Sequence, residues 1–244
     1  MRNGCRGVPS STVVAIVPAA GQGRRMGRRG AGKLQARIGG VPLLAHTLRR
    51  LTASPLIHGV IVVARPGTEA AVDRFCRAWR IPRVLGVVGG GATRAASVWR
   101  GLQAVPQAAR VVLVHDGARP FPSRRLIAAV IRSARRYGAA VAAVPVTSTV
   151  KEVNGARAVR RTVPREHLRL AQTPQGFRAE RLRHAYQRLG VRAAWRELHL
   201  PDDASIVERA GYGVHLVPGD PQNIKVTVPL DLVIAEALWR RGRA

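Results

Sequence analysis

Several residue types are scarce in this 244-residue chain, and each scarcity narrows what it can be. There are two cysteines, Cys5 and Cys76. Two cysteines make neither a metal site nor a disulfide framework, and the expected setting is a reducing cytoplasm. Aromatic residues make up 4% of the sequence, with no aromatic pattern of the kind that stacks RNA bases. No apolar run reaches the roughly 18 residues of a membrane helix, and Arg2 and Arg6 are not followed by the apolar segment of an export signal. Acidic residues number 13 against 41 basic ones, a net charge of +28. Alone, that charge suggests a nucleic acid or an acidic surface as partner. The arginines are spread along the whole chain, however, which reads as a coding bias toward arginine, and neither nucleic acid nor membrane is the expected partner. Only Lys33, Lys151 and Lys225 are lysine. Each stands out, because a compact ammonium and a planar guanidinium differ most beside a phosphate.

The chain is organised around Val13–Lys33, VVAIVPAAGQGRRMGRRGAGK. Its apolar, β-branched start, ended by Pro18, predicts a buried parallel strand. Ala19, Ala20, Gly21 and Gly23 follow, then Arg24, Arg25, Arg28, Arg29 and Lys33. Small side chains let a ligand approach the backbone N–H groups and the cations answer negative charge, so a polyphosphate is the natural guest. Neither of two better-known phosphate loops fits. Met26 occupies the third small position of a dinucleotide fingerprint. Leu34 follows Gly32-Lys33 where a P-loop needs the hydroxyl that holds Mg²⁺.

Downstream, apolar runs alternate with amphipathic ones. Strands are predicted at Val60–Val63, Val84–Val88, Val111–Val114, Ala139–Val144 and about Val214–Val217. Helices are predicted at Val41–Thr52 (with Pro42 in the first turn), Thr68–Trp79, Thr93–Val105, after Ser123, at Arg178–Leu189, after Asp202-Asp203, and from Pro229. This rhythm predicts an α/β, Rossmann-like fold, a mostly parallel sheet with helices on both faces. Ligands of such sheets bind at the carboxyl ends of strands, where the loop after Pro18, Gly89-Gly90-Gly91 and Asp116-Gly-Ala-Arg119 all fall. The rhythm breaks at Thr149–Arg161, two polar runs around Asn154-Gly155, a strong hairpin signal. A hairpin this polar is expected to project as an arm and be covered by a partner. The chain is read as one domain, 1–244, with this arm at about 146–170.

These motifs carry a family resemblance. The pieces PAAGQGRRM (18–26), RAASV (94–98), VHDGARPF (114–121), TVPR (162–165), QTPQGF (172–177), DDAS (202–205) and NIKVT (223–227) resemble, in order and spacing, the 2-C-methyl-D-erythritol 4-phosphate cytidylyltransferases of non-mevalonate isoprenoid synthesis. The resemblance runs from about Val13 to Trp239. It implies a nucleotidyltransferase that joins CTP and methylerythritol phosphate into the CDP-alcohol with release of pyrophosphate. Mg²⁺ would be held mainly by the CTP phosphates. It implies catalytic roles for Arg25, Lys33 and Lys225, and CTP binding by Ala19, Ala20, Gly21, Gly90, Ala92 and Ser97. Asp116, Arg119, Thr149, Arg165 and Thr173 would bind the phosphoalcohol. It further implies a cytoplasmic homodimer in which the arm, bearing Thr149 and Arg165, reaches the neighbour's site. His115 reads as a strand-end packing residue, since an anionic phosphate oxygen needs no general base.

The chain departs from the family pattern at Gly32, where Pro is usual before the lysine, at Leu34, and at Ala92 and Thr93, where acidic residues are common. Pro201 stands where a Thr often precedes the acidic pair. Two rival readings are a ribitol 5-phosphate or other sugar-alcohol phosphate cytidylyltransferase, and a basic nucleic-acid-binding protein on the same fold without activity.

Overall fold

The computed structural model describes residues 12–21, 35–189 and 200–242. A seven-stranded sheet forms the centre, built from β1 (Val13–Pro18), β4 (Gly59–Ala64), β5 (Val84–Gly89), β6 (Val111–Val114), β7 (Ala139–Pro145), β10 (Arg169–Arg178) and β11 (His215–Pro218). Their spatial order is β11-β7-β10-β6-β1-β4-β5. The strands β1, β4, β5 and β6 run parallel, as do β11 and β7, whereas β10 lies antiparallel to both β6 and β7.

Both faces of β1 are covered, which is why it reads as an unbroken apolar run. Val13, Ala15 and Val17 pack toward Leu44, Leu48 and Leu51 of α1 (Leu43–Thr52) and the α2 helix (Glu69–Ala78). The same cluster continues into Ile127, Val130 and Ile131 of α4 (Arg124–Tyr137). Val14 and Ile16 face the other way, toward α3 (Arg94–Gln103), α5 (Ala179–Arg188) and α6 (Asp203–Arg209). The C-terminal α7 (Pro229–Arg241) joins a third cluster with Ile38, Leu43, Ala118 and Val226. Its first turn is held by Asp231 Oδ2, which accepts from the backbone N–H groups of Thr227 at 2.6 Å and Val228 at 2.9 Å.

Helix starts follow the predicted chemistry. Ser123 Oγ accepts from Leu126 N at 3.2 Å, Thr93 Oγ1 from Ala96 N at 3.1 Å, and Asp202 Oδ1 from Ser205 N at 2.9 Å. Each satisfies an N–H that the first helical turn leaves unpaired. Three expectations need correcting. Val41 and Pro42 form β3, paired with β2 (Arg37–Ile38), so α1 begins at Leu43 with Pro42 as its cap residue rather than in its first turn. The ten-residue β10 is missing from the predicted strands, because its middle is Gln172, Thr173, Pro174, Gln175 and Gly176 rather than an apolar run. With it the sheet carries an antiparallel strand near its middle. Finally, β8 (Val150–Val153) and β9 (Val159–Val163) pair only with each other, but Asn154-Gly155 is not a tight two-residue turn. The connection is longer: Asn154 Oδ1 accepts from Ala156 N and Ala158 N, both at 3.0 Å, and the left-handed residue is Arg157, φ 64°.

Gly101 shows how closely α3 sits on the sheet. A Cβ there would lie 2.7 Å from Ile16 Cγ2 and 2.8 Å from Val63 Cγ2. Alanine in a helix interior gains about 1 kcal/mol over glycine, whereas overpacking costs about 1–3 kcal/mol. Both opposing side chains are β-branched and fully buried, so the clash wins. Gly101→Ala should lower the free energy of unfolding in urea titrations; a gain in stability would show that α3 can lift from the sheet freely.

Candidate active site

Because β1, β4, β5 and β6 are parallel, their carboxyl ends share one rim of the sheet, and backbone hydrogen bonds tie the departing chains together. Ala19 N donates to Val63 O at 2.7 Å, Gly90 N to Ala64 O at 2.8 Å, and His115 N to Ile16 O at 3.0 Å. At this rim Ala20, Gly90 and Ser97 converge. A Cβ on Gly90 would lie 2.9 Å from Ser97 Oγ, 3.0 Å from Ala20 Cβ and 3.1 Å from Ala64 O, so only hydrogen fits there. Ser97 Oγ accepts from Gly91 N at 3.1 Å and donates to Thr93 O at 2.9 Å, which fixes the turn into α3. Ala92 is exposed on that turn. Beside Ala19 and Gly21 lies a cavity of about 230 Å³ whose wall also includes Leu44, Arg65, Thr68 and Phe75.

Further along the rim, β6 is followed by His115 and Asp116. Three cations from three parts of the chain converge on the Asp116 carboxylate. Lys225 Nζ is 2.6 Å from Oδ2, Arg94 Nη2 is 3.6 Å from Oδ1, and Arg119 Nε is 4.0 Å from Oδ2. Burial alone would raise the Asp116 pKa. Lys225 and then Arg94 outweigh it, and the carboxyl is held well below the usual range. Arg94 is itself gripped from behind, its Nη1 2.7 Å from Oδ2 of the fully buried Asp203. Burial opposes that guanidinium's charge, but Asp203 and Asp116 prevail and its pKa is raised. Burial lowers the Arg119 pKa against the pull of Asp116.

The polar residues of β10 hold this cluster in place. Thr173 Oγ1 accepts from Asp116 N at 3.0 Å and lies 3.2 Å from His115 Nδ1; His115 Nε2 lies 3.0 Å from Arg119 O. One arrangement closes the set: the threonine hydroxyl donates to Nδ1, and a neutral imidazole donates from Nε2. Burial pushes the His115 pKa down to about 4, in keeping with that tautomer. Gln172 Nε2 donates to Asp220 O at 3.0 Å, and Asn223 Nδ2 donates to Thr173 O at 2.7 Å. Asn223 O in turn accepts from Arg119 Nη1 at 2.7 Å. The segment carrying Lys225 is thus fastened to β10 and to Arg119 at once. Gln175 Oε1 accepts from Asp203 N and Ala204 N, both at 3.1 Å, and Tyr186 Oη donates to Asp203 Oδ1 at 2.7 Å.

Of the residues singled out in sequence, the structure gathers Asp116, Arg119, Thr173 and Lys225 in this cluster, with Ala19, Ala20, Gly90 and Ser97 along the same rim. Arg25 and Lys33 lie outside the described residues. Thr149 and Arg165 sit in and beside the hairpin, exposed, with Arg165 Nη1 donating to Thr147 O. No interaction joins either to Asp116 among the described residues. Lys151, the third lysine, donates to Thr162 Oγ1 across the hairpin. Sequence reasoning missed Arg94, Asp203, Asn223, Gln172 and Gln175 as members of the site. The only sequence signal for them was their place inside the short motifs at 94–98, 172–177, 202–205 and 223–227.

A floor of small residues at the ends of parallel strands, next to a buried carboxylate clamped by cations, defines an α/β protein with a candidate ligand site at the rim of its sheet. The comparisons make this particular. The family model for 2-C-methyl-D-erythritol 4-phosphate cytidylyltransferase (IspD) matches residues 13–241. A protein of that name from Syntrophus aciditrophicus is 41% identical over 230 residues, covering 94% of this chain and 96% of the relative. The crystal structure of the Thermus thermophilus enzyme of the same name is 41% identical, covering 94% of this chain and 99% of its own, with a TM-score of 0.73. A 4-diphosphocytidyl-2C-methyl-D-erythritol synthase structure from Anaerococcus prevotii is 28% identical, covering 96% and 100%, with a TM-score of 0.81. The chain belongs to the 2-C-methyl-D-erythritol 4-phosphate cytidylyltransferase family.

The two shifted groups at the end of β6 make stability pH-dependent in separate windows. As pH falls below 6.5 the unfolded chain protonates His115 while the folded chain does not until about pH 4. Stability is therefore lost across that interval, by about 3 kcal/mol in total for this group. Asp116 acts lower: its folded pKa lies below the ordinary 3.8, so its contribution is present above that value and lost as pH falls beneath it. Urea unfolding of the wild type and His115→Gln between pH 7 and pH 4 should show a shallower fall for the variant. Parallel curves would mean that His115 titrates normally.

Proposed function

We propose that this protein joins CTP and 2-C-methyl-D-erythritol 4-phosphate to form the CDP-alcohol and pyrophosphate. The observation that carries this reading is the Asp116 cluster with Lys225, Arg94 and Arg119, beside the small-residue floor, in a chain of this family. A phosphate oxygen of the methylerythritol phosphate attacks the α-phosphorus of CTP. The bond from that phosphorus to the β-phosphate oxygen breaks, and pyrophosphate leaves with the electron pair. No proton need be taken from the nucleophile, which agrees with a His115 kept neutral and fully hydrogen-bonded. Catalysis of this kind rests on positioning and on cations where charge builds.

On this reading Ala19, Ala20, Gly21, Gly90, Ala92 and Ser97 pass beneath the cytidine, where small residues expose backbone donors and acceptors. Lys225, with Arg25 and Lys33, meets the phosphates, while Asp116, Arg119 and Thr173 hold the alcohol. Among the described residues no group of three or more His, Cys, Asp or Glu is placed to hold a metal ion. Asp116 already faces cations, so a magnesium ion would fit on the CTP phosphates, where it would neutralise charge. No helix among the described residues is long and apolar enough to cross a membrane, and a cytoplasmic location belongs to the same reading.

The hairpin completes it. Val153 and Val159 of the hairpin are more than half exposed, as is Leu170 near the start of β10, and an isolated two-stranded hairpin is marginal in water. A two-fold dimer that buries the hairpin would carry Thr149 and Arg165 to the neighbour's site. The ribitol phosphate and nucleic-acid readings gain nothing from the comparisons.

A product assay offering CTP with methylerythritol phosphate, ribitol phosphate or glycerol phosphate should give the CDP-alcohol with the first; turnover only with another alcohol would overturn the assignment. In the same assay Lys225→Ala should lower kcat by roughly 10²–10³-fold, with little change in KM for CTP. Lys225→Arg should recover little of it, since a planar fork does not replace an ammonium.

The arm is tested by mixing two inactive chains, Lys225→Ala and Arg165→Ala, under conditions where subunits exchange. Random pairing should restore about a quarter of wild-type activity, because half the dimers then hold one intact site. No recovery despite proven exchange would place Arg165 in its own chain's site.

A further inference from the structure

The three cations on Asp116 are not equivalent. The Lys225 side chain is 40% exposed, against 26% for Arg94 and 11% for Arg119. The segment of Lys225 is fastened, but its ammonium reaches Asp116 at the end of a flexible four-carbon stem, which can turn while the backbone stays in place. Arg119 is tied to Asn223 O and stands 4.0 Å off the carboxylate. Arg94 is locked: Asp203 holds its far side, and Asp203 is fixed by Tyr186 Oη and by the Gln175 amide oxygen at the start of α6. The proposed reaction requires Lys225 to meet a phosphate, yet here Lys225 is spent on Asp116 at 2.6 Å. When it leaves, a carboxylate with only 12% of its side chain exposed loses its nearest cation. A buried charge left without a partner is strongly unfavourable.

We propose that Arg94, braced by Asp203, is the standing counter-charge that keeps Asp116 paired while Lys225 transfers from that carboxylate to the substrate phosphate. This rests on the cytidylyltransferase reading and deepens it. Arg94 is then a positioning residue: it touches no reacting atom, and its work is to make the departure of Lys225 reversible. The brace matters because an unheld guanidinium would follow the lysine toward the phosphate. Asp203 makes that movement cost a buried ion pair, so one cation moves and one stays. Among the described residues, the groups that bear on the Asp116 charge come from four parts of the fold. His115 and Arg119 belong to its own loop, Arg94 to α3, Asp203 to α6 (acting through Arg94), and Lys225 to the segment before α7; Thr173 of β10 bonds only the Asp116 backbone.

The test uses the double variant Arg94→Gln/Asp203→Asn, which removes both charges, so that Asp203 is not itself left as an unpaired buried carboxylate. Tyr186→Phe is the milder companion, loosening the brace by one hydroxyl. Turnover of wild type with CTP and methylerythritol phosphate is measured first, and its absence would sink the proposed function rather than this inference. In an active enzyme the double variant should keep its CTP affinity and lose kcat by on the order of 10²-fold; Tyr186→Phe should fall in the same direction by less. The decisive readout is the Asp116 carboxyl ¹³C resonance, assigned by its loss in Asp116→Asn and titrated with and without bound methylerythritol phosphate. In the double variant its midpoint should rise in both states, and by at least about one pH unit more in the complex than in the free enzyme, where Lys225 still covers it. An unchanged midpoint in the complex, or an equal rise with and without the phosphoalcohol, would overturn the proposal. So would a normal kcat in both the double variant and Tyr186→Phe.

Discussion

One buried negative charge organises this end of the molecule. Asp116 is out of water at the tip of a central strand, where a lone carboxylate would be protonated or would drive the structure apart. It stays ionised because α3, its own turn and the segment before α7 each deliver a cation to it. Elements far apart in sequence are therefore obliged to meet at the rim of the sheet. Much of what lies nearby serves to set those cations: Asn223 accepts from Arg119, Asp203 backs Arg94, and Gln172 and Asn223 anchor the segment that carries Lys225.

That arrangement explains a feature that would otherwise be costly, a strand near the middle of the sheet with glutamines, threonine and proline in its interior. Buried polar groups are tolerated where each finds a partner. Here Gln172, Thr173 and Gln175 do, and the partners are the loops of the rim and the start of α6 rather than the neighbouring strands. The register shift between Ala171 and Gln175 in the pairing of β10 with β7 falls on these residues, where side chains are turned to the loops instead of the ladder. Strand β10 is in this sense less a piece of the hydrophobic sheet than the frame for the rim.

How far all this could be read in the amino-acid sequence follows from the same physics. The apolar run at Val13–Val17, the caps at Ser123 and Asp202, and the last helix from Pro229 were legible, because each depends on residues within a few positions. Strand β10 was not, since periodicity sees apolar patterns and its buried middle is polar. The hairpin was legible as a hairpin, but the side chain of Asn154 builds a wider loop than its neighbour Gly155 suggested. Among site residues, Lys225 was conspicuous because lysine is rare in this chain. The same composition hid Arg94, one arginine among many, whose partners Asp116 and Asp203 are brought to it only by the crossing of α3, β6 and α6. Asp203 itself read only as the opening of a helix.

The hairpin β8–β9 bears on how the sheet is assembled. To place β10 beside β7, the chain must close the long connection between Pro145 and Arg169. A self-pairing hairpin inside that connection draws Val150 and Val163 together locally, on the microsecond timescale of such elements. What remains to be closed is then two short tethers instead of one long loop, and the entropy of closure falls accordingly. An element that looks peripheral in the finished molecule thus shortens the path by which its centre forms, and lengthening or deleting it would be felt first in the rate at which β10 finds its place.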